Sequence, residues 1–168
     1  MIFLTVGHEM PFDRLVRGVD EWCRLSGCSD VFGQIGDPGP GGYLPQHFEW
    51  EYFIEPEEFQ QRFETADFIV AHAGMGSIIT ALTVGKPMVI MPRRGDLMET
   101  RNEHQRATAD RFISRSGIDV AADESELGAV LDARRATPAG AGQNTASPYA
   151  EDGLLEVIRN FIHQPVRP

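Results

Sequence analysis

Strand-like apolar runs alternate with helical patterns along this chain. That alternation predicts an α/β fold, a parallel sheet covered by helices on both faces. The runs Ile2–Val6, Asp67–Ala71 and Pro87–Met91 are almost wholly apolar, as strands buried on both faces are. Stretches with apolar residues at helical spacing lie between them. Gly7, Gly27, Gly85, Pro92 and Gly117 mark the boundaries.

The elements follow in order. Ile2–Val6 is a strand that Gly7 stops. Phe12, Leu15, Val16, Val19, Trp22 and Cys23 share a helix face, and Gly27 ends that pattern. Val31–Ile35 is a second strand. Residues 36–46 hold four Gly and three Pro and form a loop. Trp50–Ile54 is a short strand, and Pro56–Phe63 a short helix with Pro at its start. Asp67–Ala71 is a strand, Gly74–Ser77 a turn, and Ser77–Val84 a helix closed by Gly85. Pro87–Met91 is a strand. A helix runs from about Arg101 to Arg115, and Ile118–Ala121 is a last short strand. Ser125–Arg134 is a helix with Ser125 as its N-cap. These elements make one domain over residues 1–135. Residues 136–149, rich in Ala, Gly, Ser, Thr and Pro, form a linker. Residues 150–168 form a C-terminal helix and tail, with Leu154, Leu155, Ile158 and Ile162 on one face of Gly153–His163.

A chain of 168 residues can bury a core without staples. Its formal charge of −10 argues against general nucleic-acid binding and against a polybasic grip on anionic lipid. Of its 15 basic side chains only Lys86 is a lysine. Cys23 and Cys28 make no disulfide framework and lack the neighbours of a zinc site. The opening apolar run is too short for a signal peptide or a membrane span, so the expected compartment is the cytoplasm. No Asp-x-Asp pair is present, and no metal is expected.

In parallel sheets ligands sit at the carboxyl ends of the strands, near the point where strand order reverses. Three loops therefore matter: Gly7–Pro11, His72–Ser77 and Pro92–Gln105. The second reads His72-Ala73-Gly74-Met75-Gly76-Ser77, between a strand and a helix. Its glycines let backbone approach a ligand, and the new helix presents unpaired N–H groups and partial positive charge. With the Ser77 hydroxyl and the His72 imidazole, this makes a cradle for a diphosphate. It is equally a tight turn capped by Ser77. His8 follows the first strand and either faces the cleft or is merely exposed. Arg93-Arg94 can hold a carboxylate or phosphate, or lie on the surface. Trp50, Tyr52 and Phe53 suit core or an interface better than ligand stacking.

The run continues with Ile78-Ile79-Thr80-Ala81-Leu82, Gly85-Lys86-Pro87, Pro92-Arg93 and His104-Gln105-Arg106-Ala107-Thr108-Ala109. It resembles the nucleotide-sugar-binding half of GT-B glycosyltransferases, in the branch of the family 28 C-terminal domain. Thr5-Val6-Gly7 and Pro11-Phe12-Asp13-Arg14-Leu15-Val16 resemble the opening of small donor-binding subunits of two-chain enzymes. Those enzymes include exopolysaccharide glucuronosyltransferases and an N-glycan N-acetylglucosaminyltransferase. The resemblance covers about residues 1–134 and implies a Rossmann-like domain, one half of a GT-B fold.

It also implies roles. His72 and Ser77 would meet the donor diphosphate, with His72 and His8 as catalytic candidates. Gly7, Gly74, Met75 and Gly76 would line the nucleotide through backbone. Arg93, Glu99, His104 and Gln105 would surround the donor sugar. Thr80, also a nucleotide-binding candidate, stands where the family usually has an acid for the ribose hydroxyls and can make one hydroxyl contact; either Glu99 or Glu103 holds the ribose instead, or donor affinity is low. His8-Glu9 departs from the usual Thr and neutral residue. Arg93-Arg94 and Arg101 raise UDP-glucuronic acid as the donor. The implied reaction is hexosyl transfer from a UDP-sugar, without cofactor or metal, with helix N-termini and a cationic His72 stabilising the leaving diphosphate. Only the donor half is present, so a membrane-anchored partner subunit would carry a lipid-linked saccharide acceptor and seat this chain at the inner membrane face. Two alternatives stand beside it: a non-catalytic nucleotide-binding regulatory module, and a sugar-nucleotide epimerase, which would need a longer chain.

Overall fold

The structure is a computed structural model, which describes residues 1–113 and 115–137. The linker and C-terminal helix expected beyond residue 137 lie outside the described residues.

Six parallel strands form one sheet in the order β3-β2-β1-β4-β5-β6. They are β1 (Ile2–Thr5), β2 (Val31–Gln34), β3 (Glu49–Glu51), β4 (Phe68–His72), β5 (Met88–Met91) and β6 (Ile118–Val120). Strand order reverses between β1 and β4, where Ile2 pairs with Phe68 and Thr5 with Ala71. That order is the Rossmann arrangement, and its crevice is expected at the carboxyl ends of these two strands.

The alternating side chains of each strand split the core into two layers. Leu4, Val70 and Val89 point to one face, against Phe12, Leu15, Val19 and Trp22 of the α1 segment and Leu127 and Leu131 of α5. Phe3, Ile69 and Ile90 point to the other, against Phe63 of α2, Ile78 of α3 and Ala109 of α4. The helices are α1 (Asp13–Ser26), α2 (Pro56–Thr65), α3 (Met75–Val84), α4 (His104–Phe112) and α5 (Glu124–Ala136). Gly27 and Gly85 close α1 and α3 with φ of 67° and 69°, a conformation glycine adopts without strain.

Several boundaries differ from the sequence expectation. The third strand is Glu49–Glu51 rather than Trp50–Ile54, because only these residues lie beside Phe32–Gln34 of β2. Trp50 is half-buried against the core, whereas Tyr52 and Phe53 are exposed. Helix α4 starts at His104, not Arg101. The N-cap of α5 is Asp123, not Ser125: its extended backbone lets its carboxylate accept the Ser125 N–H at 2.9 Å.

Asp20 interrupts the apolar face of α1 and is 1% exposed. It accepts the Tyr43 hydroxyl at 2.6 Å and the Gln46 and His47 N–H groups at 3.0 and 2.7 Å. The His47 imidazole lies 3.1 Å from the same carboxylate. A single buried charge thus anchors the end of the Gly- and Pro-rich loop and gives the Gln46 and His47 N–H groups their acceptor.

Candidate functional site

The three loops singled out from sequence meet at the carboxyl ends of β1, β4 and β5. Helix α3 begins at Met75, two residues earlier than expected, with Gly74 extended at its N-cap. The N–H groups of Met75, Gly76 and Ser77 therefore occupy the first turn, where a helix has no internal acceptor for them. Ser77 is half-buried in that turn, and Met75 and Gly76 are exposed. A Cβ on Gly76 would meet no atom within 4 Å, so this glycine leaves open space in front of the helix.

Gly74 and Gly7 serve a different end. The His72 ring passes between them. A Cβ on Gly7 would lie 2.7 Å from His72 Cε1, and one on Gly74 would lie 2.8 Å from Cδ2. Gly7 also has a φ of 82°. Only glycine at both positions leaves room for the ring. His72 Nδ1 is buried and makes no well-formed hydrogen bond, with the Thr5 backbone as a polar neighbour of the ring. Burial, reinforced by the nearby Arg93 charge, pushes the imidazole down to about 4. His72 is thus neutral at pH 7, with one nitrogen donating and one accepting. The cationic His72 expected from sequence is corrected: before a ligand binds, the positive potential here comes from the α3 N-terminus and Arg93.

Arg93 is not free to read a substrate carboxylate. It is 4% exposed, and its two terminal nitrogens donate to Val6 O at 2.7 Å, Met10 O at 2.6 Å, Pro11 O at 2.6 Å and Glu99 O at 3.2 Å. Its plane lies over the Phe12 ring, 4.7 Å from the centroid. Arg94 points outward and pairs with Asp96. Arg93 therefore drops out of the glucuronate expectation, since it is spent on backbone carbonyls, while Arg101 is exposed in the loop before α4.

Glu99 is also taken. Its carboxylate receives Arg14 Nε and Nη2 at 2.8 and 2.7 Å and the Arg94 N–H at 2.8 Å. Arg14 further reaches Glu124 at 2.7 Å and Pro92 O at 2.9 Å. Burial favours a neutral guanidinium, but the two carboxylates outweigh it and hold Arg14 more firmly protonated. Glu103 accepts the Gly95 N–H at 2.8 Å. Thr80 donates its hydroxyl proton to Gly76 O at 3.0 Å, which leaves it only acceptor lone pairs. Of the expected ribose partners, Glu99 is thus occupied within the protein, whereas Glu103 and Thr80 keep acceptor lone pairs.

Gln105 accepts the Arg93 N–H through Oε1 at 3.1 Å, which turns its amide nitrogen away from that bond. His104 is exposed at the start of α4, and its N–H is held by Asn102 Oδ1 at 3.1 Å. His8 is exposed too, its ring 5.0 Å from that of Phe53. Sequence reasoning left Arg14 and Asp20 without roles. Arg14 stood in a quoted motif, but nothing local shows that its partners lie 85 and 110 residues further on.

A groove of about 1130 Å³ runs between α1 and α5, lined by Trp22, Leu25 and Ala129 and reaching Met10, Pro11 and Glu99 of the first and third loops. His72 and the first turn of α3 do not line it. Among the described residues, no group of three or more His, Cys, Asp or Glu is placed to hold a metal. No described helix is long and apolar enough to cross a membrane.

The glycine turn, the His72 ring and the strand order together define the pattern, and the sequence model of the glycosyltransferase family 28 C-terminal domain matches residues 1–145. The chain belongs to this family. The mouse UDP-N-acetylglucosamine transferase subunit ALG13 is 28% identical over 114 residues, covering 61% of this chain and 9% of that relative. The solution structure of ALG13 aligns over 94% of this chain and 93% of its own, with a TM-score of 0.59 and 21% identity. The kitacinnamycin glycotransferase structure aligns over 82% of this chain and 35% of its own, with a TM-score of 0.59 and 24% identity. This family 28 domain therefore spans a small part of some relatives and nearly all of another, and it shares the GT-B half-domain fold.

Proposed function

We propose that this chain is the donor-binding subunit of a UDP-sugar-dependent hexosyltransferase. The observation that carries the reading is the neutral His72 imidazole, held between Gly7 and Gly74, beside the open N-terminus of α3. A diphosphate set there would accept hydrogen bonds from the first-turn N–H groups and the Ser77 hydroxyl, and one from His72. In the reaction the bond from the anomeric carbon to the diphosphate oxygen breaks and a bond to the acceptor oxygen forms. The acceptor proton passes to a general base. Charge builds on the diphosphate, where the preorganised donors act.

The family and the mouse transferase subunit support a partner chain. That partner would carry the acceptor and the base and hold the complex at a membrane, where a lipid-linked saccharide of polysaccharide assembly is met. His8 and His104, both exposed, would be free to meet the donor sugar or the acceptor.

Calorimetry on the full chain tests the site with UDP, ADP and GDP. UDP binds, and Ser77→Ala weakens it by about 1–2 kcal/mol, the loss of one charge-assisted hydrogen bond. Unchanged affinity in both Ser77→Ala and His72→Ala removes the site. Co-expression with a candidate partner then separates transfer from binding alone. Tight UDP binding with no transfer in any assembled complex favours a regulatory module.

A further inference from the structure

Arg93 and Asp20 are the charged side chains buried among the described residues, and Arg93 lies at the candidate site. The four carbonyls it takes come from two of the site's loops. Val6, Met10 and Pro11 bracket the first loop at both ends, and Glu99 belongs to the loop after β5. Nη2 spans Val6 and Met10, while Nη1 joins Pro11 to Glu99. Within the first loop, Gly7 donates to Thr5 Oγ1 at 3.3 Å, a contact from its own strand. Gly7 is also the residue against which the His72 ring packs.

We propose that Arg93 is a positioning residue: by binding both ends of the first loop it presses Gly7 against His72 and fixes the imidazole edge beside the α3 N-terminus. The proposal rests on the reading of residues 72–77 as the diphosphate site. The planar guanidinium is suited to this, because its donors diverge at fixed angles toward carbonyls on separate segments. An ammonium is a point charge with three donors and cannot span them in the same way. The low-dielectric setting strengthens each bond, and the stacked Phe12 ring excludes water from one face.

Arg93→Lys keeps the charge and Arg93→Met keeps much of the apolar volume. Both are compared with the full wild-type chain by circular dichroism, amide hydrogen exchange and UDP calorimetry. The expected result is that folded Arg93→Lys exchanges the amides of residues 7–10 at least tenfold faster, with residues 68–72 unchanged. UDP affinity falls at least tenfold at a temperature where the variant is fully folded. Exchange that rises uniformly over the sheet, or stays unchanged in residues 7–10, overturns the proposal, as does UDP affinity within twofold of wild type. Should Arg93→Met not fold, the lysine variant alone decides. Failure of wild type to bind UDP overturns the reading of residues 72–77, whereas the exchange measurement still decides the role of Arg93.

Discussion

The ring of His72 occupies the space that a side chain on Gly74 would need, with Cδ2 and Cε1 2.8 and 2.9 Å from the position of that Cβ. The glycine that opens the helix therefore exists for a residue two positions earlier in its own chain. Gly76, one residue into α3, has no such neighbour.

The two glycines should respond oppositely to alanine. Gly74→Ala drives a methyl group into the buried ring and should lower stability by about 1–3 kcal/mol. Gly76→Ala meets nothing and gains helix propensity, so it should leave stability unchanged or raise it by up to about 1 kcal/mol. The same methyl group stands in the space before the α3 N–H groups, so UDP affinity should fall. Urea unfolding and calorimetry on both variants check this. Equal stability effects would remove the distinction.

His72 should make the fold acid-sensitive in a defined window. Its folded value is lowered to about 4 from an ordinary 6.5. Between these values the unfolded chain binds a proton that the folded chain refuses. The stability is fully present above pH 6.5 and is lost as pH falls toward 4, by about 3 kcal/mol in all. Urea midpoints from pH 7.5 to 4 should show this slope in wild type and a flatter one in His72→Gln. Parallel curves would mean that His72 titrates normally in the fold.

Asp20 should act in a lower window. Burial raises its carboxyl, but Tyr43 and the His47 and Gln46 donors outweigh burial and hold it below 3.8. Its contribution is present above pH 3.8 and lost as pH falls through the lowered value. Asp20→Asn leaves the volume intact but removes the charge from three hydrogen bonds, at a cost of about 2 kcal/mol. Chemical unfolding at pH 7 measures it, and faster exchange at residues 43–47 would locate the loss in the anchored loop.

The pair Arg14–Glu99 should couple strongly. Both side chains are largely buried, 11% and 13% exposed. Glu99→Gln leaves Arg14 with Glu124 as its one carboxylate partner and should cost about 2 kcal/mol. A double-mutant cycle with Arg14→Gln should give a coupling energy above about 1 kcal/mol. Additive losses would show that the two residues act apart.

The sequence pointed to the three loops of the candidate site, because strand ends and glycine turns are local signals. The α3 turn is written in six consecutive residues, and the alternation of strands and helices predicted a parallel sheet but not its strand order. What it could not show is which of two adjacent arginines turns inward. Arg93 and Arg94 are chemically identical, and their fates depend on carbonyls of Val6, Met10 and Pro11 more than 80 residues earlier. The same holds for Asp20, which breaks an apolar helix face for the sake of a loop beyond β2. Asp123 and Ser125 are both good capping residues, and only the extended backbone at Asp123 separates them.

The first strand of the chain is an inner strand of the sheet, flanked by β2 on one side and β4 on the other. During synthesis β1 can pair with β2 early, but its second edge stays open until Phe68–His72 has been made. Until then the growing chain exposes an apolar strand edge, a template for pairing with other chains. Parallel pairing of this kind is also slow, since the loop must close before any contact forms. A fragment ending before β4 should therefore aggregate rather than fold. His72, the last residue of the strand that covers that edge, thus reaches the candidate site in the same event, ahead of β5, β6 and the loop that follows β5.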